Sequence, residues 1–292
     1  MGEGLSYNWA AAAAATRWLL YASMLIASGS TLFSMLMRPP PVVAAVAARI
    51  GRVAAVAAAP TYVLAVGIGG AEMLDGEAGV IFTAAAWELG LASSLGLSAA
   101  IGVPAMAFLW LGFRRENAPV QGFGVALAIL SFLVTGHAAT APPMWLLAPV
   151  VGVHLLCAAF WLGALPPLFM ATHVLPTAEA GALLARFSKL AISAVVVLVL
   201  SGLAISAVQV TSPAALLTTD YGHRLLTKLG LVAMLIGLAA FNRGVLTPRL
   251  LRERAGGGGS MRWSIALEVA LQALILAAAV SLTLVAPPRT LG

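Results

Sequence analysis

Eight stretches of about twenty mostly apolar residues follow one another along this chain, the length a helix needs to cross a bilayer. They cover approximately Ala12–Met37, Val53–Leu74, Leu89–Phe113, Val120–Ala139, Leu146–Met170, Lys189–Val210, Leu225–Leu246 and Ile265–Ala286. Their breaks are chemically plain: Arg38-Pro-Pro-Pro41, the acids Glu72, Asp75 and Glu77, then Arg114-Arg115-Glu116, Ala141-Pro-Pro143, and an Arg-rich stretch with Gly256–Gly259. Within the runs apolar residues are continuous rather than alternating, which excludes a membrane β-barrel. Only 9% of the residues are charged and 61% are hydrophobic, against about 25% charged in ordinary soluble domains. Such a chain cannot cover a globular surface with polar groups, so a soluble enzyme and a disordered protein are both excluded. The expected fold is all-α: a polytopic transmembrane helical bundle forming one integral membrane domain over residues 1–292, with a three-span part (1–116) followed by a five-span part (117–292). The first apolar run exceeds signal-peptide length and reads as a retained helix.

Lys and Arg placement predicts which way up the bundle sits. Twelve of the 16 basic residues fall in the odd-numbered loops: Arg38, Arg49, Arg52, Arg114, Arg115, Arg186, Lys189, Arg243, Arg249, Arg252, Arg254 and Arg262. The other side keeps Arg17, Arg224, Lys228 and Arg289. The positive-inside rule then puts the odd loops in the cytoplasm and both termini outside. The net charge of +6 serves orientation on this reading, and no nucleic-acid partner is expected. Leu91-Ala-Ser-Ser-Leu-Gly-Leu97 and Leu225-Leu-Thr-Lys-Leu-Gly-Leu231 echo each other, each at the start of a span from the outside.

Ionisable and metal-binding side chains at membrane depth are costly and therefore mark candidate functional sites. His137 lies near the outer end of the fourth run and His154 in the outer half of the fifth, on antiparallel neighbours joined by a short loop. His154 is expected about 12 Å deep if its helix begins at Leu146, and about 8 Å if Pro149 is a first-turn proline. Cys157 follows one turn later, and Met144 precedes in the loop. Imidazole, thiolate and thioether are soft ligands that select copper, above all Cu(I), over magnesium or calcium. The same residues admit a plainer reading, with the histidines bonding helices together and the cysteine as a small packing residue. His173 reads as interfacial, His223 as a solvated loop residue, and Met24 and Met234 as candidates to line a path. The acids Glu72, Asp75, Glu77 and Glu88 give the outer face local negative charge. Glu268, one turn inside the eighth run, is expected to pair with Arg243, since an unpaired charge there is expensive; a proton or metal exit role is the secondary reading. The single cysteine excludes an internal disulfide.

From Trp161-Leu-Gly-Ala-Leu-Pro-Pro167 the pattern becomes specific. In order come Thr-Gly-His-Ala around His137, His-Leu-Leu-Cys-Ala-Ala-Phe-Trp-Leu-Gly from His154, Arg-Phe-Ser-Lys-Leu from Arg186 and Ser-Gly-Leu from Ser201. Thr-Asp-Tyr-Gly-His-Arg-Leu-Leu-Thr-Lys from Thr219, Ala-Phe-Asn-Arg then Leu-Thr-Pro from Ala240, and Arg-Trp-Ser-Ile-Ala-Leu-Glu follow. Over about 150 residues this resembles the copper-resistance D (CopD) family of bacterial membrane proteins. The first 115 residues match only in having three spans and a basic first loop. The resemblance implies a multi-pass protein of the bacterial cytoplasmic (inner) membrane that moves copper, with the family's histidines falling on His137 and His154. It also implies a periplasmic copper-binding CopC-type partner, here expected as a separate chain. Cys157 stands where relatives are expected to carry small apolar residues.

The function expected is copper transport, not enzymatic catalysis, with copper captured between the fourth and fifth helices. No Gly-x-x-x-x-Gly-Lys-Ser/Thr and no Asp-Lys-Thr-Gly occurs, so this chain is not expected to pump with ATP. An inside-negative potential favours an entering cation by about 2.3 kcal/mol per charge per 100 mV, which favours uptake. The alternative is a b-type membrane redox protein clamping haem between His137 and His154.

Overall fold

The computed structural model describes residues 8–135, 144–252 and 257–290, and their regular structure is helical throughout. The α-helices are α1 (Trp9–Met37), α2 (Pro41–Leu74), α3 (Ala84–Ala92), α4 (Ser94–Arg114), α5 (Ala118–Leu133) and α6 (Met144–Val174). They continue with α7 (Thr177–Gln209), α8 (Pro213–Thr218), α9 (Asp220–Phe241), α10 (Thr247–Leu251) and α11 (Gly257–Leu282). Among the described residues seven helical stretches are long and apolar enough to cross a membrane, Asp220–Leu251 counting as one of them. The expected fourth span appears as α5, a shorter apolar helix of 16 residues, about 24 Å long at 1.5 Å per residue. The protein is thus an all-α polytopic bundle.

Local chemistry sets the ends. After α1 the backbone of Arg38 turns left-handed (φ 40°), and Pro41 opens α2, where its missing N–H would have been unpaired in any case. Because α2 begins there rather than near Val53, Arg49 and Arg52 are helical and not loop residues. The third run breaks in two at Ser93, whose hydroxyl accepts from the Leu95 amide at 3.1 Å and caps α4. The echo at Leu91–Leu97 therefore straddles a break, whereas Leu225–Leu231 is continuous helix in α9. Residues Asn242–Leu246 form a π-helical turn between α9 and α10. Pro248 follows closely; it has no N–H to give Gly244 and its ring crowds that carbonyl, so the helix widens ahead of it.

Helices α1 and α6 lie at the centre, α1 packing on α2 and α6, and α6 also on α7 and α11. Contact between α1 and α6 is backbone against backbone: a Cβ at Gly29 would collide with the Ala159 carbonyl, and one at Gly163 with the backbone of Gly29. Small residues at such crossings permit the close approach that membrane helices need, since lipid supplies no hydrophobic drive between them. One buried core joins α1, α2, α4, α5 and α6; a second joins α6, α7, α9, α10 and α11 with the end of α1 and the start of α2. In the first, Tyr62 and Ser131 share a hydrogen bond of 2.7 Å, and Ser98 donates to the Ser131 carbonyl. Trp145 and Trp263, 79% and 81% exposed, stand near the starts of α6 and α11, where amphipathic rings anchor at bilayer interfaces.

Candidate functional site

Two cavities flank α6, and both are walled by α6, α7, α9 and α11. The first, about 220 Å³, lies toward the start of α6. His154 lines it, with Thr135, Gln209, Tyr221, Lys228 and Thr283 among the polar residues of its wall. The His154 ring is oriented from α7. Its Nδ1 lies 3.0 Å from Ser201 Oγ and 3.2 Å from the Leu198 carbonyl. That carbonyl can only accept, and the Ser201 hydroxyl is already donated to the Val197 carbonyl at 2.7 Å. Nδ1 therefore carries the proton, which leaves the Nε2 lone pair as the free ligand. This tie is the one ligating histidines commonly have on their second nitrogen. Gly202 leaves the room the ring needs, since a Cβ there would meet His154 Cε1 at 3.3 Å.

The other expected residues fall as follows. His137 lies outside the described residues; Thr135, two positions before it, lines the His154 cavity. Met144 is exposed at the start of the described α6, ten residues and about 15 Å along the axis from His154. Cys157 is half-buried and is not among the residues lining either cavity. Among the described residues the hydrogen bonds of His154 go to Ser201 and Leu198 and to neither sulfur. Of the path candidates, Met24 is fully buried and accepts a bond from Ser28, and Met234 is 61% exposed. His173 is exposed and bonds to the Phe169 carbonyl of its own helix; His223 is exposed and bonds to the Leu217 carbonyl. Among the described residues no group of three or more His, Cys, Asp or Glu is arranged to hold a metal ion.

The second cavity, about 210 Å³, lies toward the end of α6 and contains Trp161, Asn242, Arg243 and Glu268 in its wall. Here the expected Arg243–Glu268 ion pair does not form. Asn242 Nδ2 donates to Glu268 Oε1, and Trp161 Nε1 donates to Oε2 at 3.4 Å. Ser264 Oγ in turn donates to Asn242 Oδ1. The π-helical turn sets this register: it buries Asn242 and leaves Arg243 exposed. Glu268, Asn242 and Ser264 are all buried. An ion pair does form at the opposite end of the bundle, where Arg17 lies 3.8 Å from Glu72 and also donates to Thr283.

Sequence reasoning gave no site role to Ser201, Gln209 or Lys228, and it paired Glu268 with Arg243 rather than with Asn242 and Trp161. The available signal was polarity within apolar runs, notably Gln209 and Gln272, whose side-chain oxygens are buried without a partner among the described residues.

Comparison with known proteins follows the same part of the chain. Residues 181–282 match the family model for copper resistance protein D. Inner membrane protein YebZ of Escherichia coli is 33% identical over 127 residues, 42% of this chain and 43% of that protein. Copper resistance protein D of Pseudomonas syringae pv. tomato is 32% identical over 169 residues, 52% of this chain and 53% of that protein. The chain thus spans about half the length of the curated relatives it matches. No solved structure matches it. The chain is thus similar to the copper resistance protein D family over residues 181–282, and its apolar helices are those of a multi-pass membrane protein.

Proposed function

We propose that this protein carries copper across the bacterial cytoplasmic membrane, and that His154 and His137 take the ion at the extracytoplasmic end of the bundle. The observation that carries the reading is the state of His154: Nδ1 is committed to α7, which leaves the Nε2 lone pair free on a residue that lines a cavity together with Thr135. Thr135 stands two positions before His137 in the sequence. The family match and the copper resistance protein relative supply the metal. Imidazole suits copper, and the cavity of about 220 Å³ is below the roughly 300–1,000 Å³ of sites for drug-sized ligands. That size favours an ion over a macrocycle such as haem.

On this reading the basic loops face the cytoplasm and the membrane potential drives copper inward. Copper arrives from a separate periplasmic donor of the CopC type or as the free ion. Cys157 and Met144 are dispensable to capture on this reading, since neither lines the His154 cavity. The test is copper entry into proteoliposomes of fixed orientation, with and without an imposed inside-negative potential. Potential-stimulated uptake that is lost in His154→Ala and His137→Ala, and kept in Cys157→Ala, supports the proposal. Equal uptake by wild type and both histidine variants overturns it, and a Soret band in the purified protein transfers the site to haem.

A further inference from the structure

Glu268 carries the observation the copper reading leaves unused. Its carboxylate is 4% exposed, six residues and about 9 Å deeper along α11 than Arg262, whose guanidinium reaches the Thr172 carbonyl at the end of α6. Both oxygens accept from neutral N–H donors, one on each of two other helical segments. Arg243 is the one other ionisable group among the residues lining its cavity, and it makes no ion pair with Glu268. Of the other ionisable groups on the packed elements, His154 and Lys228 line the other cavity, and those nearer Glu268 are engaged or turned outward. Arg186 donates to the Met37 carbonyl and Arg262 to Thr172, His173 bonds within α6, and Lys189, Arg249 and Glu179 are exposed.

A buried carboxylate without a counter-cation at contact distance seeks one, and the surrounding atoms say which. Sodium, magnesium and calcium take about six oxygen ligands. Here Asn242 Oδ1 is used by Ser264 and Asn242 Nδ2 is a donor, which leaves little beyond the carboxylate itself. Copper(I) is poorly served by a carboxylate. A proton needs one oxygen lone pair and nothing else. Access is by the cavity of about 210 Å³ that Glu268 lines, while Ser264 and Asn242 hold the carboxylate through hydrogen bonds from the end of the bundle that carries the basic loops. One turn beyond Glu268, about 6 Å farther along the axis, the unpartnered oxygen of Gln272 offers the next acceptor.

We propose that Glu268 is a proton-exchange site inside the bundle, loaded and unloaded from the face that carries the basic loops. Loading adds a proton to one carboxylate oxygen and forms a neutral carboxyl. Because both present partners are donors, the new O–H must turn from one of them into the cavity, and the longer Trp161 contact is the one to yield. Unloading returns the proton and restores that contact.

The experiment is a pH titration of the purified, copper-free full-length protein by infrared difference spectroscopy, so that its outcome is independent of the copper proposal. The expected result is a carboxyl C=O band that grows on acidification, is absent from Glu268→Gln and is retained, shifted, in Glu268→Asp. Equal circular dichroism and elution volume for all three keep misfolding from mimicking loss. Wild-type and Glu268→Gln spectra that titrate identically overturn the assignment. So does a band that sodium removes at fixed pH, because the site would then hold a metal cation.

Discussion

His154 and Trp161 lie on the same face of α6, seven residues and two helical turns apart, which separates them by about 10 Å along the axis. One line of α6 thus serves both cavities: His154 contributes a ring nitrogen to the first, and Trp161 an indole N–H to the carboxylate of the second. From α11 Glu268 lines the second cavity, and Thr283, just past that helix, lines the first. Polar groups at such depth are expensive in lipid and mark candidate ion sites.

The orientation of the His154 ring depends on Ser201. Ser201→Ala removes one of the two acceptors of Nδ1–H and leaves the Leu198 carbonyl. The imidazole stays but loses a tie, and such outer partners typically govern about 10–100-fold in metal affinity. Copper binding by the purified variant is expected to weaken within that range. Affinity equal to wild type would show that the Leu198 carbonyl suffices.

Gly202 sets the space around the same ring. An added Cβ lies 3.3 Å from His154 Cε1 and 3.7 Å from Nδ1, so alanine needs a shift of a few tenths of an ångström. A branched side chain cannot share the space. Gly202→Ala is expected to keep copper uptake within a few-fold of wild type, and Gly202→Val to lose it as His154→Ala does. Uptake assays on both variants at matched membrane protein levels decide the matter.

Lys228 shares the cavity with His154 and opposes any cation bound there. A unit charge across such a cavity at an effective dielectric near 20 is worth on the order of 1–2 kcal/mol, about tenfold in affinity. Lys228→Met is expected to tighten copper binding by several-fold up to that factor. Isothermal titration or competition against a chelator measures it, and unchanged or weaker binding would mean that the ammonium is turned away from the ion.

How much of this could be read beforehand varied with the kind of information required. Span positions were legible because apolar length and Pro or Arg punctuation are local properties, and α1, α2 and α7 stop where Pro, Arg and polar residues demand. The His154 pocket was legible as polarity out of place. The partner of Glu268 was not, because Asn242 and Arg243 are adjacent and a π-helical turn decides which of them faces inward. Grouping Cys157 and Met144 with His154 rests on spacing alone, which gives a face and a depth but not the neighbour on that face. The division of the third run at Ser93 turns on one side-chain cap, which hydropathy does not register.

Removing the neutral donor from Glu268 has a calculable cost. Asn242→Leu leaves a buried carboxylate with the weaker Trp161 contact alone, and an unsatisfied buried polar group costs about 1–3 kcal/mol, more when charged. The variant is expected to lose several degrees of thermal stability in detergent. The double variant Asn242→Leu/Glu268→Leu removes the stranded charge and is expected to recover part of that loss. Thermal unfolding of the two variants checks both statements; an unchanged midpoint in Asn242→Leu would show that the bond contributes nothing.

The α1–α6 crossing predicts opposite outcomes for two glycines of the same composition class. Gly163 sits where any Cβ would strike the backbone of Gly29, whereas Gly230 on α9 has nothing within 4 Å of an added Cβ. Gly163→Val must push α1 and α6 apart, and overpacking of this kind costs about 1–3 kcal/mol or more because backbone cannot step aside. Gly230→Val adds a methyl-bearing side chain to open space in lipid and is expected to be neutral within about 0.5 kcal/mol. Because α6 carries both His154 and Trp161, parting it from α1 disturbs both cavities, so Gly163→Val is expected to lower thermal stability and copper uptake together. Thermal midpoints and uptake of the two valine variants, compared at equal membrane levels, test the crossing; equal behaviour would mean that α1 and α6 do not meet at Gly29 and Gly163.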